Sequence, residues 1–280
     1  MDIGEQGPVS DRDVTRASGN ADAITEYNRR MFEQPKVVCP YALAADLTPA
    51  ELMIFEQYHD SHVGKRVLDI GVGGGRTTGW LASAASLYIG IDYSLTMIEL
   101  CRSRFPEYQF EHGDARDLSR FKAGSFDFVL FSFNGIDFMG HRDRMAIMKE
   151  VKRLLVPSGI FAFSSHNLDR ASTHTLYHDI RWSKLLKRPL HTAKGLWRVG
   201  LRLLNYTRYS HMQDWNDGYA ILLDPGSEFT LPMYYVNVAE QRRQLQEAGF
   251  NANPQLFPEL PPEGYKDRRP CSFYYVTSNS

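Results

Sequence analysis

Short apolar runs alternate with longer, helix-compatible runs over residues 65–165, and this alternation sets the predicted architecture. Each short run has the length of a buried strand, and the stretches between them suit helices. Strands and helices that alternate in this way form a mostly parallel sheet with right-handed crossovers. The pattern therefore predicts an α/β fold with a doubly wound sheet, in which ligands bind at the carboxyl ends of the strands.

A glycine-rich turn follows the first of these strands and gives the clearest indication of a ligand site. Residues 67–75 read VLDIGVGGG and lead into a helix-compatible run. Glycines let the backbone turn sharply and approach a ligand at a helix N-terminus. A dinucleotide is disfavoured, because Arg76 stands where the dinucleotide fingerprint has its third small residue. Asp69, just before the loop, would repel a pyrophosphate but suits an ammonium group.

A second acid refines the predicted ligand. Asp92 ends the next strand-like run, about 20 residues beyond the glycines, which is the usual separation for a carboxylate that accepts the hydroxyls of a ribose. The site therefore suits a ribose and a positively charged amino acid, without phosphates. S-adenosylmethionine (SAM) meets that description.

The motifs of residues 64–167 resemble those of class I SAM-dependent methyltransferases, while the rest of the chain matches that family only in outline. The matching segments, in the expected order, are residues 69–75 (DIGVGGG), Asp92, residues 113–118 (GDARDL), 126–134 (FDFVLFSFN) and 151–159 (VKRLLVPSG). The resemblance implies a Rossmann-like methyltransferase fold with a seven-stranded sheet that closes with a reversed hairpin. It also implies SAM as cofactor and S-adenosylhomocysteine as product.

The resemblance assigns residues to the cofactor, and it implies no metal. Asp92 would accept the ribose hydroxyls, and Asp114 would meet the adenine amino group. Met97 is either a contact near the adenine edge or an ordinary filler of the core. The predicted cofactor-binding residues are Asp69, Gly71, Gly73, Asp92, Tyr93, Met97, Asp114, Ala115 and Phe131.

Candidates for the acceptor side come from strand ends and from tyrosines. His166 ends the fifth predicted strand and can act as a general base, because a histidine titrates near neutral pH. The structural alternative is a hydrogen bond to a loop. Asn134, just past the fourth strand, is the second catalytic candidate. Tyr27, Tyr234 and Tyr235 are predicted to contact the substrate, although tyrosines at such positions also simply pack. Alternation along a strand lets only one of the last two face inward.

A basic segment follows the fifth strand. Residues 181–208 carry eight basic residues and no acid, interleaved with tryptophan and leucine. The simplest interpretation is a pair of amphipathic cap helices with their basic face in water. The alternative is a lid that attracts an anionic substrate or a membrane surface.

These patterns divide the chain into four predicted parts. Residues 1–20 lack periodicity and are predicted to be a mobile tail. Residues 21–62 are predicted N-terminal helices, which by resemblance cover the cofactor site. Residues 63–167 and 237–280 form the predicted core, and residues 168–236 form an inserted cap of helices and a β-hairpin over the substrate site.

Composition adds bounds on the class of protein. The chain has 280 residues, 43% of them hydrophobic, and a formal net charge of -1, so it has an ordinary globular composition and no global field for nucleic acid. Its three cysteines form no CxxC pair, which favours a reducing cytoplasm. No signal peptide and no transmembrane segment are predicted.

The predicted function is methyl transfer from SAM to a small organic acceptor, with O-methylation ahead of N-methylation. The Asn-Pro-Pro-Tyr motif of adenine and glutamine N-methyltransferases is missing, since residues 132–135 read SFNG. Two alternatives remain open. One is a peripheral membrane enzyme or lipid or glycan methyltransferase that uses the basic helices as an anchor, and the other is a non-catalytic SAM-binding partner subunit.

Overall fold

The computed structural model describes residues 20–34, 43, 46–171, 189–264 and 267–279. The predicted tail lies outside the described residues as far as residue 19. Part of the predicted cap, residues 172–188, also lies outside them.

Helices and strands alternate through most of the described chain. The helices are α1 (Asn20–Met31), α2 (Pro49–Gln57), α3 (His59–His62), α4 (Thr78–Ala84), α5 (Leu95–Arg104), α6 (His141–Leu154), α7 (Leu168–Ala171), α8 (Pro189–Tyr209) and α9 (Val238–Glu247). The strands are β1 (Arg66–Ile70), β2 (Leu87–Asp92), β3 (Gln109–His112), β4 (Phe126–Phe131), β5 (Leu155–Asn167), β6 (Asp214–Trp215), β7 (Tyr219–Leu223), β8 (Pro232–Val236), β9 (Gln255–Glu259) and β10 (Ser272–Ser278).

Seven strands form the core of the sheet, in the order β3-β2-β1-β4-β5-β10-β9. The strands β1 to β5 pair in parallel, and β10 runs antiparallel to both of its neighbours. Helices α6 and α9 pack on one face, and α2, α4 and α5 pack on the other. Because both faces are buried, a strand such as β4 is a nearly continuous apolar run. The predicted α/β fold with a doubly wound, mostly parallel sheet and a reversed last hairpin is confirmed.

The predicted hairpin of the cap is present, but it continues the sheet and does not stand apart from it. β8 pairs in parallel with the last two residues of β5, and β7 and β6 follow in antiparallel order, which makes ten strands in all. β8 begins at Pro232, later than the predicted residue 229. Glu228 and Phe229 have φ values of 55° and 61°, and this left-handed conformation cannot continue a strand.

Two strands have notable extents. β5 is long and covers Leu155–Asn167, and β4 and β10 together pair along almost its whole length. β9 covers Gln255–Glu259 and includes Pro258. β9 is a sheet edge, where the missing N–H of a proline leaves no ladder bond unmade.

The two N-terminal helices are fixed by specific polar contacts. α2 begins with the predicted capping box, in which Thr48 Oγ1 accepts from the Glu51 N–H at 3.2 Å and the Glu51 carboxylate accepts from the Thr48 N–H at 2.8 Å. On α1, the Asn28 amide donates to the carbonyls of Phe138 and Pro232, both at 2.8 Å. α1 is therefore tied both to the segment after β4 and to β8.

Candidate active site

The glycine loop after β1 has a backbone that residues with side chains would not accommodate. Gly71, Gly73 and Gly75 have φ values of 64°, 54° and 84°, all in the left-handed region. A Cβ added to Gly71 would lie 2.9 Å from the Phe131 ring, and one on Gly75 would lie 2.7 Å from the Phe105 ring. The Phe131 and Phe105 rings therefore occupy the space that Cβ atoms of the loop would need. The loop backbone, which carries no side chains at these glycines, can be approached closely by a ligand.

A cavity of about 870 Å³, including its open mouth, lies at the carboxyl edge of the sheet beside this loop. Its size is within the range of small-molecule and cofactor sites, which is about 300–1,000 Å³. Its walls come from the glycine loop, the ends of β2 and β4, and Phe32, which directly follows α1. Eight of the nine predicted cofactor residues line it, namely Asp69, Gly71, Gly73, Asp92, Tyr93, Met97, Ala115 and Phe131.

Asp92 is held rigidly at the wall of this cavity. One carboxylate oxygen accepts from the Gly73 N–H at 2.9 Å, and the other accepts from the Ser94 N–H at 2.8 Å. Burial raises the pKa of Asp92, while the two backbone N–H groups act in the opposite direction. The acid thus links the glycine loop to the cap of α5, and its remaining lone pairs suit the hydroxyls of a ribose.

Asp69 lies beneath the loop and is almost completely buried. Its Oδ2 accepts from Thr77 Oγ1 at 2.5 Å and from the Tyr88 hydroxyl at 2.9 Å. Burial raises the pKa of Asp69 to about 6, against the effect of these two hydrogen bonds. One of its oxygens thus links the start of α4 to β2. These partners are hydroxyl groups of the protein, whereas the sequence suggests an ammonium group as the partner of Asp69.

Asp114, the ninth predicted cofactor residue, lines a smaller neighbouring cavity of about 220 Å³. Its carboxylate forms an ion pair with Arg116 at 2.7 Å, and Arg116 also contacts Asp143 at 3.2 Å. Burial acts to raise the pKa of Asp114, but the bonds and charge of Arg116 outweigh it and hold that pKa below its ordinary value. The two cavities share Tyr93, Phe138 and Met139, so Asp114 adjoins the main cavity without lining it.

The structure brings the two predicted catalytic residues together. Asn134 Nδ2 lies 3.3 Å from His166 Nε2. The carboxylate of Asp137, which the sequence analysis does not identify, lies 2.7 Å from His166 Nδ1. An ionised carboxylate accepts, so Nδ1 carries the ring proton and Nε2 is left as an acceptor. Among the described residues, the lining of the main cavity includes neither His166 nor Asn134, but it includes Phe133 and Gly135 on either side of Asn134.

Asp137 keeps its charge through a buried partner. Arg144 on α6 donates to Asp137 at 2.7 Å, and Ser165 Oγ donates to the same oxygen at 2.6 Å. Both members of the ion pair are completely buried. Gln241 accepts from Arg144 at 2.5 Å, which gives the guanidinium a further partner.

A second buried ion pair forms part of the opposite wall. Arg76 and Ser132 line the cavity, and both contact Glu51 of α2, with the Arg76 Nη2 bond at 2.6 Å. The Tyr274 hydroxyl donates to the same carboxylate at 2.8 Å. Burial acts to raise the pKa of Glu51, but the hydrogen bonds and charge of Arg76 outweigh it and hold that pKa below its ordinary value. The sequence indicates the capping role of Glu51 but not this second one.

The three predicted substrate tyrosines lie elsewhere than in the lining described for the main cavity. Tyr27 donates to the Thr230 carbonyl at 2.9 Å. Tyr234 is fully buried, with its hydroxyl 2.7 Å from His141 Nδ1. The ring of Tyr235 lies 5.0 Å from that of His166, so of the two adjacent tyrosines it is the one beside the candidate base. The contacts of all three with a substrate stay predictions.

Comparison with known proteins agrees with this architecture. Residues 67–159 match the family model of a methyltransferase domain. The chain is 31% identical over 129 residues to an uncharacterized methyltransferase of Synechocystis sp., which covers 44% of this chain and 60% of that relative. It is 31% identical over 120 residues to a ubiquinone biosynthesis O-methyltransferase of Methylococcus capsulatus, which covers 41% of this chain and 49% of that relative. The chain thus spans about half the length of the relatives that it matches.

A solved structure extends the likeness of fold to the whole chain. The 1,6-didemethyltoxoflavin-N1-methyltransferase of Burkholderia thailandensis superposes with a TM-score of 0.58 at 13% identity, covering 99% of this chain and 97% of that chain. At this level of identity the likeness concerns the fold. The chain has the fold of the class I, Rossmann-like S-adenosylmethionine-dependent methyltransferases, and its residues 67–159 match a methyltransferase domain, as the sequence motifs predict.

Proposed function

We propose that the protein transfers a methyl group from SAM to an oxygen atom of a small organic acceptor. The cavity beside the glycine loop supports the cofactor part of this proposal. Gly71 and Gly73 leave room for the amino acid portion of SAM, and Asp92 offers fixed lone pairs to the ribose. Tyr93 and Met97 supply the apolar walls that an adenine needs. When bound, SAM supplies a methyl group made electrophilic by its sulfonium charge.

The preference for oxygen rests on one observation, the arrangement of Asp137, His166 and Asn134. A hydroxyl acceptor must lose its proton, and a base with a pKa near the working pH is the effective catalyst for that step. Nε2 of His166 is the accepting nitrogen, because Nδ1 carries the ring proton and donates it in a hydrogen bond to the Asp137 carboxylate. The same carboxylate stabilises the imidazolium that forms when Nε2 accepts a proton.

Aromatic rings form part of the cavity wall. Phe32, Phe131 and Phe138 line the cavity, and the Phe32 and Phe138 rings meet edge to face at 4.6 Å. An aromatic wall suits an acceptor with an apolar or aromatic body. The cavity has to hold SAM as well as the acceptor, so its volume of about 870 Å³ suits an acceptor that is a small molecule.

The proposal is tested by incubating the purified full chain with SAM that carries a labelled methyl group. Acceptors are offered in matched sets that share one aromatic body and differ only in a hydroxyl, an amine or a carboxyl group. We expect label on the hydroxyl compound, located by mass spectrometry of the product. Label on the amine compound alone would reject the assignment to oxygen. Absence of SAM binding in calorimetry would reject the proposal as a whole.

A further inference from the structure

Helix α8 has an inward face that the rest of the protein occupies. Arg202 is buried and pairs with Glu228, and the Asn205 amide donates to the Glu228 carbonyl at 2.9 Å. The ring of Tyr206 meets Phe229 edge to face at 5.7 Å. These contacts fasten the helix to the loop between β7 and β8 and fix which side of it is turned to solvent.

The outward face of α8 is apolar. Trp197 is 69% exposed and Leu204 is 64% exposed, and their separation of seven positions, about two helical turns, places both side chains on one side of the helix. Leu203, next to Leu204, is 38% exposed. We call these three residues the outward stripe. Large apolar side chains that are grouped and exposed mark a surface that binds another protein or a membrane.

The charge of the helix indicates the chemistry of the binding partner. Within Pro189–Tyr209 the basic residues are Lys194, Arg198, Arg202 and Arg208, and no acidic residue occurs, although the chain as a whole has a net charge of -1. Glu228 offsets part of this charge by pairing with Arg198 and Arg202. The partner that fits is therefore apolar within and negatively charged at its surface.

The charge and the composition of α8 favour a lipid surface over a second copy of the chain. A symmetric dimer through the outward stripe would bring two helices without acids against each other, and like charges repel. Among the described helices, none is both long and apolar enough to cross a bilayer. Tryptophan and leucine on a basic helix are the composition of helices that lie in the membrane interface.

We propose that α8 docks in the plane of an anionic lipid bilayer, with the outward stripe in the boundary between headgroups and acyl chains. Trp197, Leu203 and Leu204 then leave water, and the exposed Arg208 faces lipid phosphates. The attraction has an electrostatic part that salt screens and an apolar part that it does not. This docking is independent of the methyl acceptor and of SAM.

Sedimentation with vesicles tests the proposal on the full chain. Vesicles of phosphatidylglycerol and phosphatidylcholine in equal parts are compared with vesicles of phosphatidylcholine alone. We expect the wild type to bind the anionic vesicles and to bind them more weakly as salt is raised. Trp197→Ala combined with Leu204→Ala is expected to weaken binding by about tenfold or more. The matched control is Trp80→Ala combined with Leu95→Ala, which removes the same two residue types from exposed positions elsewhere (58% and 50% exposed) and is expected to bind as the wild type does.

A conservative variant keeps the test independent of folding. Brominated lipids quench a tryptophan that enters the bilayer, so anionic vesicles made with them are expected to quench part of the wild-type fluorescence. Trp197→Phe is expected to bind equally well and to lose that quenched part. Absence of binding to anionic vesicles, or equal binding by the double variant of the stripe, overturns the proposal. Self-association of the wild type that the double variant abolishes would assign the stripe to a protein partner and would also overturn it.

Discussion

The carboxylate of Asp137 lies 2.7 Å from Nδ1 of His166 and also 2.7 Å from the backbone nitrogen of the same residue. One acid thus fixes both the ring and the main chain of the histidine. The ring can neither flip nor exchange its tautomer without losing this contact, and Nε2 stays the accepting nitrogen. A histidine that only packed would not need such double control, so the relationship supports the role of a positioned base.

Replacement of His166 is expected to affect turnover and not cofactor binding. In His166→Ala the hydroxyl of the acceptor loses its base, and we expect kcat to fall by about 100-fold or more. The affinity for SAM, measured by calorimetry, is expected to stay within the error of the wild-type value. His59→Ala, which removes an exposed histidine, serves as the control. Unchanged turnover in His166→Ala would leave His166 with a structural role only.

The ion pair of Asp137 and Arg144 allows stability to be separated from catalysis. Asp137→Asn leaves the Arg144 guanidinium without its counter-charge in a fully buried position, and we expect a loss of about 3–5 kcal/mol in the free energy of unfolding. Asp137→Leu combined with Arg144→Met removes both charges and is expected to recover most of that loss. Urea denaturation measures both variants.

Turnover of the same pair of variants then reports the function of Asp137. The double variant is expected to fold and yet to turn over slowly, because His166 has lost the acid that orients it. Wild-type turnover in a stable double variant would show that Asp137 serves folding alone.

The sequence predicts the parts of the site that follow from parallel strands. Asp69, Asp92 and the loop glycines converge because each stands where a strand ends, and strand ends share one edge of the sheet. The length and composition of the apolar runs in the sequence were therefore enough to place these residues at one edge of the sheet. His166 and Asn134 approach each other for the same reason, at the ends of β5 and β4.

Asp137 could not be found in this way, because the chain leaves the strand geometry before reaching it. Phe133 and Asn134 have φ values of 53° and 57°, a left-handed conformation that phenylalanine rarely adopts, and a short 3-10 turn over Gly135–Phe138 follows. The reversal turns Asp137 back towards β5. Such a turn is imposed by tertiary contacts, among them the Ser164 hydroxyl that accepts from the Asn134 N–H at 2.7 Å.

Tyr234 shows what alternation along a strand can and cannot predict. Alternation along β8 correctly requires Tyr234 and Tyr235 to face opposite sides, and they belong to different apolar clusters. Pattern alone does not say what lies on each side. Helix α9 lies on the side of Tyr234, where Gln244 donates to its hydroxyl at 2.9 Å, so this tyrosine is part of the core.

Asp92 is expected to be essential for the affinity for SAM. Asp92→Ala removes the acceptor proposed for the ribose, and we expect calorimetry to detect no binding of SAM or of S-adenosylhomocysteine. Asp92→Asn keeps only one of the two oxygens that accept from the Gly73 and Ser94 N–H groups, so urea denaturation of both variants is measured beside their SAM binding to separate recognition from loop folding. Asp117→Ala, at an exposed position, is the control. Retained tight binding in both Asp92 variants would refute the ribose assignment.

Glu51 caps α2 and also pairs with Arg76, and we expect the ion pair to contribute more to the free energy of unfolding than the cap does. Thr48→Ala removes only one capping bond of α2 and is expected to lower the free energy of unfolding by about 1 kcal/mol. Glu51→Gln keeps a hydrogen-bonding oxygen for the cap but leaves the buried Arg76 without a counter-charge, and we expect a loss of about 3 kcal/mol or more. Urea denaturation of the two variants measures the difference. Equal losses would mean that the ion pair contributes nothing beyond the cap.

Asp69 is expected to make stability depend on pH in the acidic range. Burial raises its pKa from the ordinary value of 3.8 to about 6 in the folded protein, so between these values the folded state holds a proton that the unfolded state has released. The resulting stabilisation is full below the lower value and is lost as the pH rises through the higher one.

The difference between wild type and Asp69→Asn isolates this effect, because asparagine does not titrate. Between about pH 4.5 and about pH 7.5, the free energy of unfolding of the wild type is expected to fall by about 2 kcal/mol relative to that of Asp69→Asn. Urea denaturation at several pH values measures it, and Glu107→Gln, which changes an exposed acid, is expected to follow the wild type throughout. A difference between wild type and Asp69→Asn that does not vary with pH would show that Asp69 is ionised over the whole range. Its bonds to Thr77 and Tyr88 would then outweigh its burial.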